Sequence, residues 1–71
     1  MYKKDIKIGD ILYWNTSGAY GSKISLICRV VDIGEFIWVH VFGNLAYNNL
    51  TSSVLTKEPL YKCTNMRLFM K

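Results

Sequence analysis

The sequence predicts an all-β fold, a small barrel of five short strands. Apolar residues recur with a period of two wherever a pattern can be read, most clearly over residues 23–31 and 36–42. This is the period of a strand with one buried face. Polar, glycine-bearing segments separate these stretches. A chain of 71 residues forms one domain, residues 1–71, and closing five strands into a barrel removes the exposed edges of an open sheet.

The first two strands are predicted on either side of a polar loop. A short apolar run, residues 11–14, follows the pair Gly9-Asp10, and residues 15–22 form the loop. Residues 23–31 then alternate, and residues 32–35 form a tight reversal into the next strand. The side chains predicted to point inward from the second strand are Ile24, Leu26, Cys28 and Val30.

The third predicted strand, residues 36–42, separates two kinds of side chain. One face is entirely β-branched and is predicted to fill the barrel; its members are Ile37, Val39 and Val41. The other face is entirely aromatic and is predicted to point outward; its members are Phe36, Trp38, His40 and Phe42. Bare rings in such a row exceed the apolar patch that a soluble monomer normally exposes.

The second half of the chain gives a weaker pattern. Residues 45–57 are rich in Asn, Ser and Thr, so a short strand and a helical turn near residues 51–55 both stay open. Pro59 interrupts any regular element. A strand is predicted from Leu60 to Cys63, and Met66, Leu68 and Met70 alternate toward the end.

The charges are too dispersed to indicate a basic tail. Nine Lys and Arg residues against five Asp and Glu residues give a net charge of +4, with no long run of like charges. No apolar stretch reaches the length of a signal peptide or the ~18 residues of a membrane helix, so we expect a cytoplasmic protein without membrane contact. Cys28 and Cys63 have no neighbouring Cys or His, so we expect buried thiols and no metal site.

Nothing in the sequence indicates catalysis or a cofactor. His40 is the only histidine, and its sequence neighbours are apolar or aromatic rather than a nucleophile and an orienting acid. We therefore expect no catalytic residue and a His40 ring packed among aromatics. The glycines at 18 and 21 indicate a flexible loop, because a backbone clamp of the GxxG kind needs helices on both sides.

Three stretches resemble the small SH3-like barrels, a group that includes KOW-type and Tudor-like modules. They are residues 7–12 (KIGDIL), residues 24–32, and residues 38–41 (WVHV). The resemblance implies a five-stranded SH3-like barrel. Residues 15–22 lack the basic, glycine-spaced core of KOW, and no acidic-aromatic cage of the Tudor kind is present. The ligands of those modules are therefore not carried over.

The aromatic side of the third strand is the candidate binding surface. Aromatic centres with a charged rim are typical of protein interfaces. We expect a non-enzymatic protein-binding module, of the inhibitor or adaptor type found among phage or bacterial accessory proteins, with Tyr20 from the loop and Arg29 at the rim. Nucleic-acid binding and a homo-oligomer that covers the rings stay open as alternatives. Coverage of some rings by residues 61–70 also stays open.

Overall fold

The protein contains five antiparallel strands in one sheet, in a computed structural model that describes residues 1–43 and 47–65. The strand order is β4-β3-β2-β1-β5. The strands are β1 (Ile11–Ser17), β2 (Lys23–Ile33), β3 (Ile37–Val41), β4 (Tyr47–Leu50) and β5 (Leu55–Thr56). Short 3-10 turns lie at Lys3–Asp5, Ala19–Gly21 and Ser52–Val54. The all-β prediction is confirmed, and the last turn lies where a helical turn was one of the two alternatives.

One face of the sheet carries the core. Strand alternation places Leu12 of β1, Val30 of β2 and Val39 of β3 on this face, where each is at most 2% exposed. Leu55 of β5 and Ile6 from the segment before β1 complete the cluster with further aliphatic residues. The predicted inward face of β3 is confirmed, since its three β-branched residues, Ile37, Val39 and Val41, are all buried in this cluster.

A β-bulge in β2 sets the side chains at the start of β3. Val30 pairs with Val39, but the next pair is Asp32 with Trp38, so Val31 is an extra residue. In a regular strand without a bulge, Asp32 would lie two residues after Val30 and so on the same core face. The bulge instead pairs Asp32 with Trp38 on the outer face, where Asp32 is exposed.

The prediction of a strand from Leu60 to Cys63 is wrong. Only a single parallel bridge, between Cys63 and Ser25, is present there. The backbone N–H of Leu60 instead donates to Asn15 Oδ1 (3.2 Å), so a side chain takes the place of a strand ladder. The last two strands, β4 and β5, lie within residues 45–57, the segment left open by the sequence. The alternation at Met66, Leu68 and Met70 falls outside the described residues.

The segment around Cys63 continues along β2 where β3 has ended. The Ser25 N–H donates to the Lys62 carbonyl (3.0 Å), and the Thr64 N–H donates to the Ser25 carbonyl (3.3 Å). The side chain of Asn65, 7% exposed, then closes the gap between this segment and the end of β3. Its Oδ1 accepts from the Ile27 N–H (2.7 Å), and its Nδ2 donates to the carbonyls of Ile27 and Phe42 (both 3.0 Å).

A second polar group ties the strand β5 and the following segment to the hairpin. Asn15 Nδ2 donates to Thr56 Oγ1 (2.9 Å), and Asn15 Oδ1 accepts from the hydroxyl of the fully buried Ser25 (2.6 Å). The Ser25 hydroxyl oxygen in turn accepts from the Tyr61 N–H (3.0 Å). These two side chains, which face each other across β1 and β2, therefore fix the chain on both sides of Pro59.

We predict that Asn65→Ala lowers the free energy of unfolding by about 2 kcal/mol or more, because the buried Ile27 N–H loses its acceptor. Urea denaturation monitored by tryptophan fluorescence measures the change. The matched control is Thr64→Ala, an exposed neighbour expected to shift stability by less than about 0.5 kcal/mol. Equal stabilities of the two variants would contradict the structural role of the Asn65 amide.

Candidate functional site: the aromatic face of β3 and β4

Trp38 is an exposed ring on the outer side of the sheet. It is the second residue of β3, between Asp32 of β2 and Asn49 of β4, and 40% of it is exposed. Its neighbours along the strand, Ile37 and Val39, point the opposite way into the core. A tryptophan so placed has its backbone fixed by the sheet and its ring presented to solvent, as in the anchor residues of protein interfaces.

His40 and Phe42 continue the aromatic row, and the structure adds Tyr47 to it. The His40 ring lies 5.4 Å from the Tyr47 ring and 6.3 Å from the Phe42 ring, centroid to centroid. The Arg29 guanidinium lies 5.7 Å from the Phe42 centroid, a cation–π distance. We call the aromatic face the surface formed by Trp38, His40, Phe42 and Tyr47 together with Arg29. As expected, the His40 ring packs among aromatic side chains.

Tyr47 was missed by the sequence analysis, although it is 61% exposed and pairs directly with His40. It lies in the Asn-rich stretch in which no strand could be assigned, so its side could not be inferred. In the structure these residues alternate, with Tyr47 and Asn49 exposed and Asn48 and Leu50 half-buried. Alternation along the sequence is the one signal that could have indicated this strand. Over four residues, that alternation does not stand out from a loop.

Two predicted site residues lie outside the strands that carry the aromatic face. Phe36 belongs to the turn before β3 and is partly exposed; the Gly34 N–H donates to its carbonyl (3.0 Å). Tyr20 lies at the tip of the β1–β2 loop, beyond Lys23. Lys23 is six residues from Arg29, or about 20 Å along β2. Tyr20 and Arg29 therefore do not form one continuous surface.

The Tyr20 loop is tightly closed and presents its ring fully to solvent. The Gly18 N–H donates to the Ser22 carbonyl (2.6 Å), and the Ser22 N–H donates to the Ala19 carbonyl (3.2 Å). Tyr20 has a φ of 58°, the one positive value at a non-glycine among the described residues. This conformation is unfavourable for a bulky side chain, and the exposed ring offers little packing to offset it.

The described part of the C-terminal segment meets the aromatic face at one end. The Asn65 amide donates to the Phe42 carbonyl, and the rest of residues 60–65 runs beside β2 near Ser25. Trp38 lies at the other end, beside the β2 bulge, and keeps its exposure. Residues 66–70, the other part of the segment considered as a cover, are outside the described residues.

The charges around the aromatic face are few and of both signs. Arg29 is stacked on Phe42, and Asp32 lies beside Trp38. From Phe36 to Thr56 the sequence contains no Asp, Glu, Lys or Arg. The surface is therefore apolar and nearly neutral, although the whole chain carries a net charge of +4.

A separate open groove of about 440 Å³ lies near the N-terminus. Its lining is charged and includes three lysines and one acid; the lining residues are Met1, Lys4, Asp5, Lys7, Thr56 and Lys57. Within residues 1–43 and 47–65, no cluster of three metal-ligating side chains occurs. No helix in this part of the chain is long and apolar enough to span a membrane.

The two cysteines differ in their surroundings. Cys28 is fully buried in the core, and burial raises the pKa of its thiol from 9.0 to about 12. Its Sγ donates to the Leu12 carbonyl (3.4 Å). Cys63 is half-buried beside the Asn65 amide, 3.6 Å from Oδ1. Because the thiolate is the reactive form, Cys28 is protected in the folded state.

Comparison of the chain with protein-family models, with curated proteins and with solved structures gives no match. A proposal of function therefore depends on the side chains of the aromatic face.

We predict that Tyr20→Asn raises the free energy of unfolding by up to about 1 kcal/mol, because Asn tolerates a positive φ better than Tyr. Thermal unfolding by circular dichroism measures the shift. Ala19→Asn, in the same loop with a negative φ, is the control and should give no gain. A loss of stability in Tyr20→Asn would contradict the view that the tyrosine is held there at a cost.

We predict that Cys28 resists alkylation in the folded protein and reacts only on unfolding, whereas Cys63 reacts in the native state. Iodoacetamide labelling with mass spectrometry separates the two sites.

The raised pKa of Cys28 also predicts how stability depends on pH. Because the pKa of the Cys28 thiol is raised above 9.0 in the folded state, the stability contributed by Cys28 is complete below pH 9 and decreases as the pH rises toward 12. In Cys28→Val, the loss of stability between pH 8 and pH 10.5 should be smaller than in the wild type. An equal loss in both proteins would contradict the raised pKa.

Proposed function

We propose that this protein is a non-enzymatic binding domain that docks a partner protein on its aromatic face. The observation that supports this most directly is the exposure of Trp38 on a strand that is paired on both sides. A Trp ring buries up to about 250 Å² when covered, so the remaining 40% corresponds to about 100 Å². At about 25 cal/mol per Å², covering it contributes about 2.5 kcal/mol as an upper bound.

The composition of the surface favours a protein over a nucleic acid. Stacking platforms for single strands place several Lys or Arg residues beside the rings to follow the phosphates. Here Arg29 is the one cation of the face and already contacts Phe42, while Asp32 lies beside Trp38 and repels phosphate. Protein interfaces, in contrast, combine Trp, Tyr and Arg with few charges at the centre.

The scaffold we propose for this surface is a curved barrel of the SH3-like type, in which β4 and β5 are the two ends of the sheet. Its support is the core itself: one side of a single sheet buries Leu12, Val39 and Leu55 almost completely. A flat sheet needs a second layer to cover that face. A sheet of this size that curves round its own side chains covers it without one. A small, rigid barrel with one aromatic face suits an inhibitor or adaptor that covers a site on a larger protein.

We predict that Trp38→Ala weakens binding to the partner by about 2 kcal/mol, roughly thirtyfold in Kd, while the domain still folds. The partner is first captured from host lysate with wild-type protein, and the Kd values are then measured by calorimetry. Tyr2→Ala, which removes an exposed ring far along the chain from β3, is the control and should bind normally.

A second variant separates loss of binding from loss of folding. Trp38→Thr removes the ring but keeps a β-branched residue that suits a strand. If both Trp38 variants are folded by circular dichroism and bind as the wild type does, the aromatic face is not the binding surface. A titration with single- and double-stranded oligonucleotides at two salt concentrations tests the alternative, and tight, salt-dependent binding there would overturn the proposal.

A further inference from the structure

Among the described residues, no strand lies against the outer edge of β4. The Phe42 N–H donates to the Ile27 carbonyl (3.2 Å), so the backbone of Phe42 faces β2. By the alternation of an antiparallel strand, His40 also faces β2, whereas Val39 faces β4. Val39 pairs with Asn48, so the backbone of Asn48 is bonded toward β3.

The same alternation turns the backbone of Tyr47 and Asn49 away from β3. β4 is an edge of the described sheet, with β3 as its one neighbour there. Natural edge strands are protected by their shortness, by lysine or proline, or by an inward-pointing charge. β4 is short, with four residues, but it has no lysine, proline or charge, and it lies within the uncharged stretch from Phe36 to Thr56.

We propose that β4 pairs with β4 of a second copy of the chain, antiparallel, about a two-fold axis at Asn48. In this register Tyr47 lies opposite Asn49 of the second copy, and the symmetry repeats the pair. Each pair exchanges two backbone hydrogen bonds, four in all. The register also matches the faces, because Tyr47 and Asn49 are both exposed and Asn48 is half-buried.

An unpaired donor marks the position of the axis. The Nδ2 atom of Asn48 is buried and has no acceptor among the described residues, which is an unfavourable state for a polar group. In the proposed pairing, the two Asn48 residues form a non-hydrogen-bonded pair, the arrangement in which opposite side chains are closest. Once its side chain is rotated toward the axis, each amide can donate to the carboxamide oxygen of the other.

Charge restricts where two copies can meet. Each chain carries +4, so a self-interface on a basic part of the surface would be repulsive. The uncharged stretch that contains β4 avoids this repulsion. Pairing also puts Tyr47 of one copy beside Asn49 of the other, and Asn49 is the neighbour of Trp38. The two aromatic faces then form one continuous surface.

Self-association of the purified protein tests this pairing without any partner, so its outcome is separate from that of the Trp38 experiment. Sedimentation velocity over a dilution series should show a mass that rises from 8.2 kDa toward twice that value. Asn49→Pro removes the outward N–H but leaves the bonds to β3, and edge strands accept proline. We expect at least a tenfold weaker dimer, because two of the four backbone bonds lose their donors.

Tyr20→Ala, at the opposite end of β2, is the control and should dimerise as the wild type does. If Asn49→Pro does not fold, Asn49→Lys, which adds a charge on each side of the axis, replaces it with the same expectation. A wild-type protein that remains at 8.2 kDa up to millimolar concentration would overturn the proposal. So would an Asn49→Pro or Asn49→Lys variant that folds and dimerises normally.

Cysteine cross-linking tests the register. In a Cys63→Ser background, Asn48→Cys should form an intermolecular disulfide, since opposite residues of a non-hydrogen-bonded pair have Cα atoms about 4.5 Å apart. Tyr20→Cys in the same background is fully exposed and reports random collisions. We expect cross-linking at least tenfold faster at position 48 on non-reducing gels. Equal rates at the two positions would overturn the register.

Discussion

The amide of Asn65 makes the join on which the sheet depends. β3 leaves β2 after Val41, and at that point the N–H of Ile27 would lose its partner inside the protein. The Asn65 side chain supplies both an acceptor and a donor there, as a peptide group does. Because an unpaired buried backbone group is costly, β3 can end where it does only with this amide in place.

The side-chain hydrogen bonds around Ser25 hold the residues after β5 in the same way as the Asn65 amide holds the end of β3. A domain of this length has a small core and little surplus stability. Here side-chain hydrogen bonds, rather than further strands, hold the residues after β5, through Asn15 and Ser25. The aliphatic residues fill the inner face of the sheet, and the large rings of β3 and β4 lie on the outer face.

Periodicity in the sequence was enough to predict the three longest strands. It indicated β1, β2 and β3 and the inward side of Ile37, Val39 and Val41. It failed at Leu60–Cys63, where side chains bond to the backbone and a strand-like composition does not produce a strand. It also missed the Val31 bulge, since an extra residue changes the register without changing the composition.

The candidate site was predictable to the extent that it lies on one strand. Trp38, His40 and Phe42 share a face because of the two-residue period alone. Tyr47 joins them through pairing between β3 and β4, and Tyr20 is separated from them by the length of β2. Both depend on which strands are neighbours and how far a hairpin extends, and a single sequence with no recognisable strand at residues 47–50 contains neither fact.

The two proposed interactions use different directions of the same part of the sheet and are compatible. Side chains such as Trp38 stand roughly perpendicular to the sheet, so a partner on the aromatic face approaches along that normal. Backbone groups of β4 point along the plane of the sheet, so a second copy approaches from the side. Edge pairing therefore leaves the Trp38 ring accessible and extends the surface around it. A partner protein would then meet two tryptophans related by symmetry, which increases the apolar area available for burial without enlarging the chain.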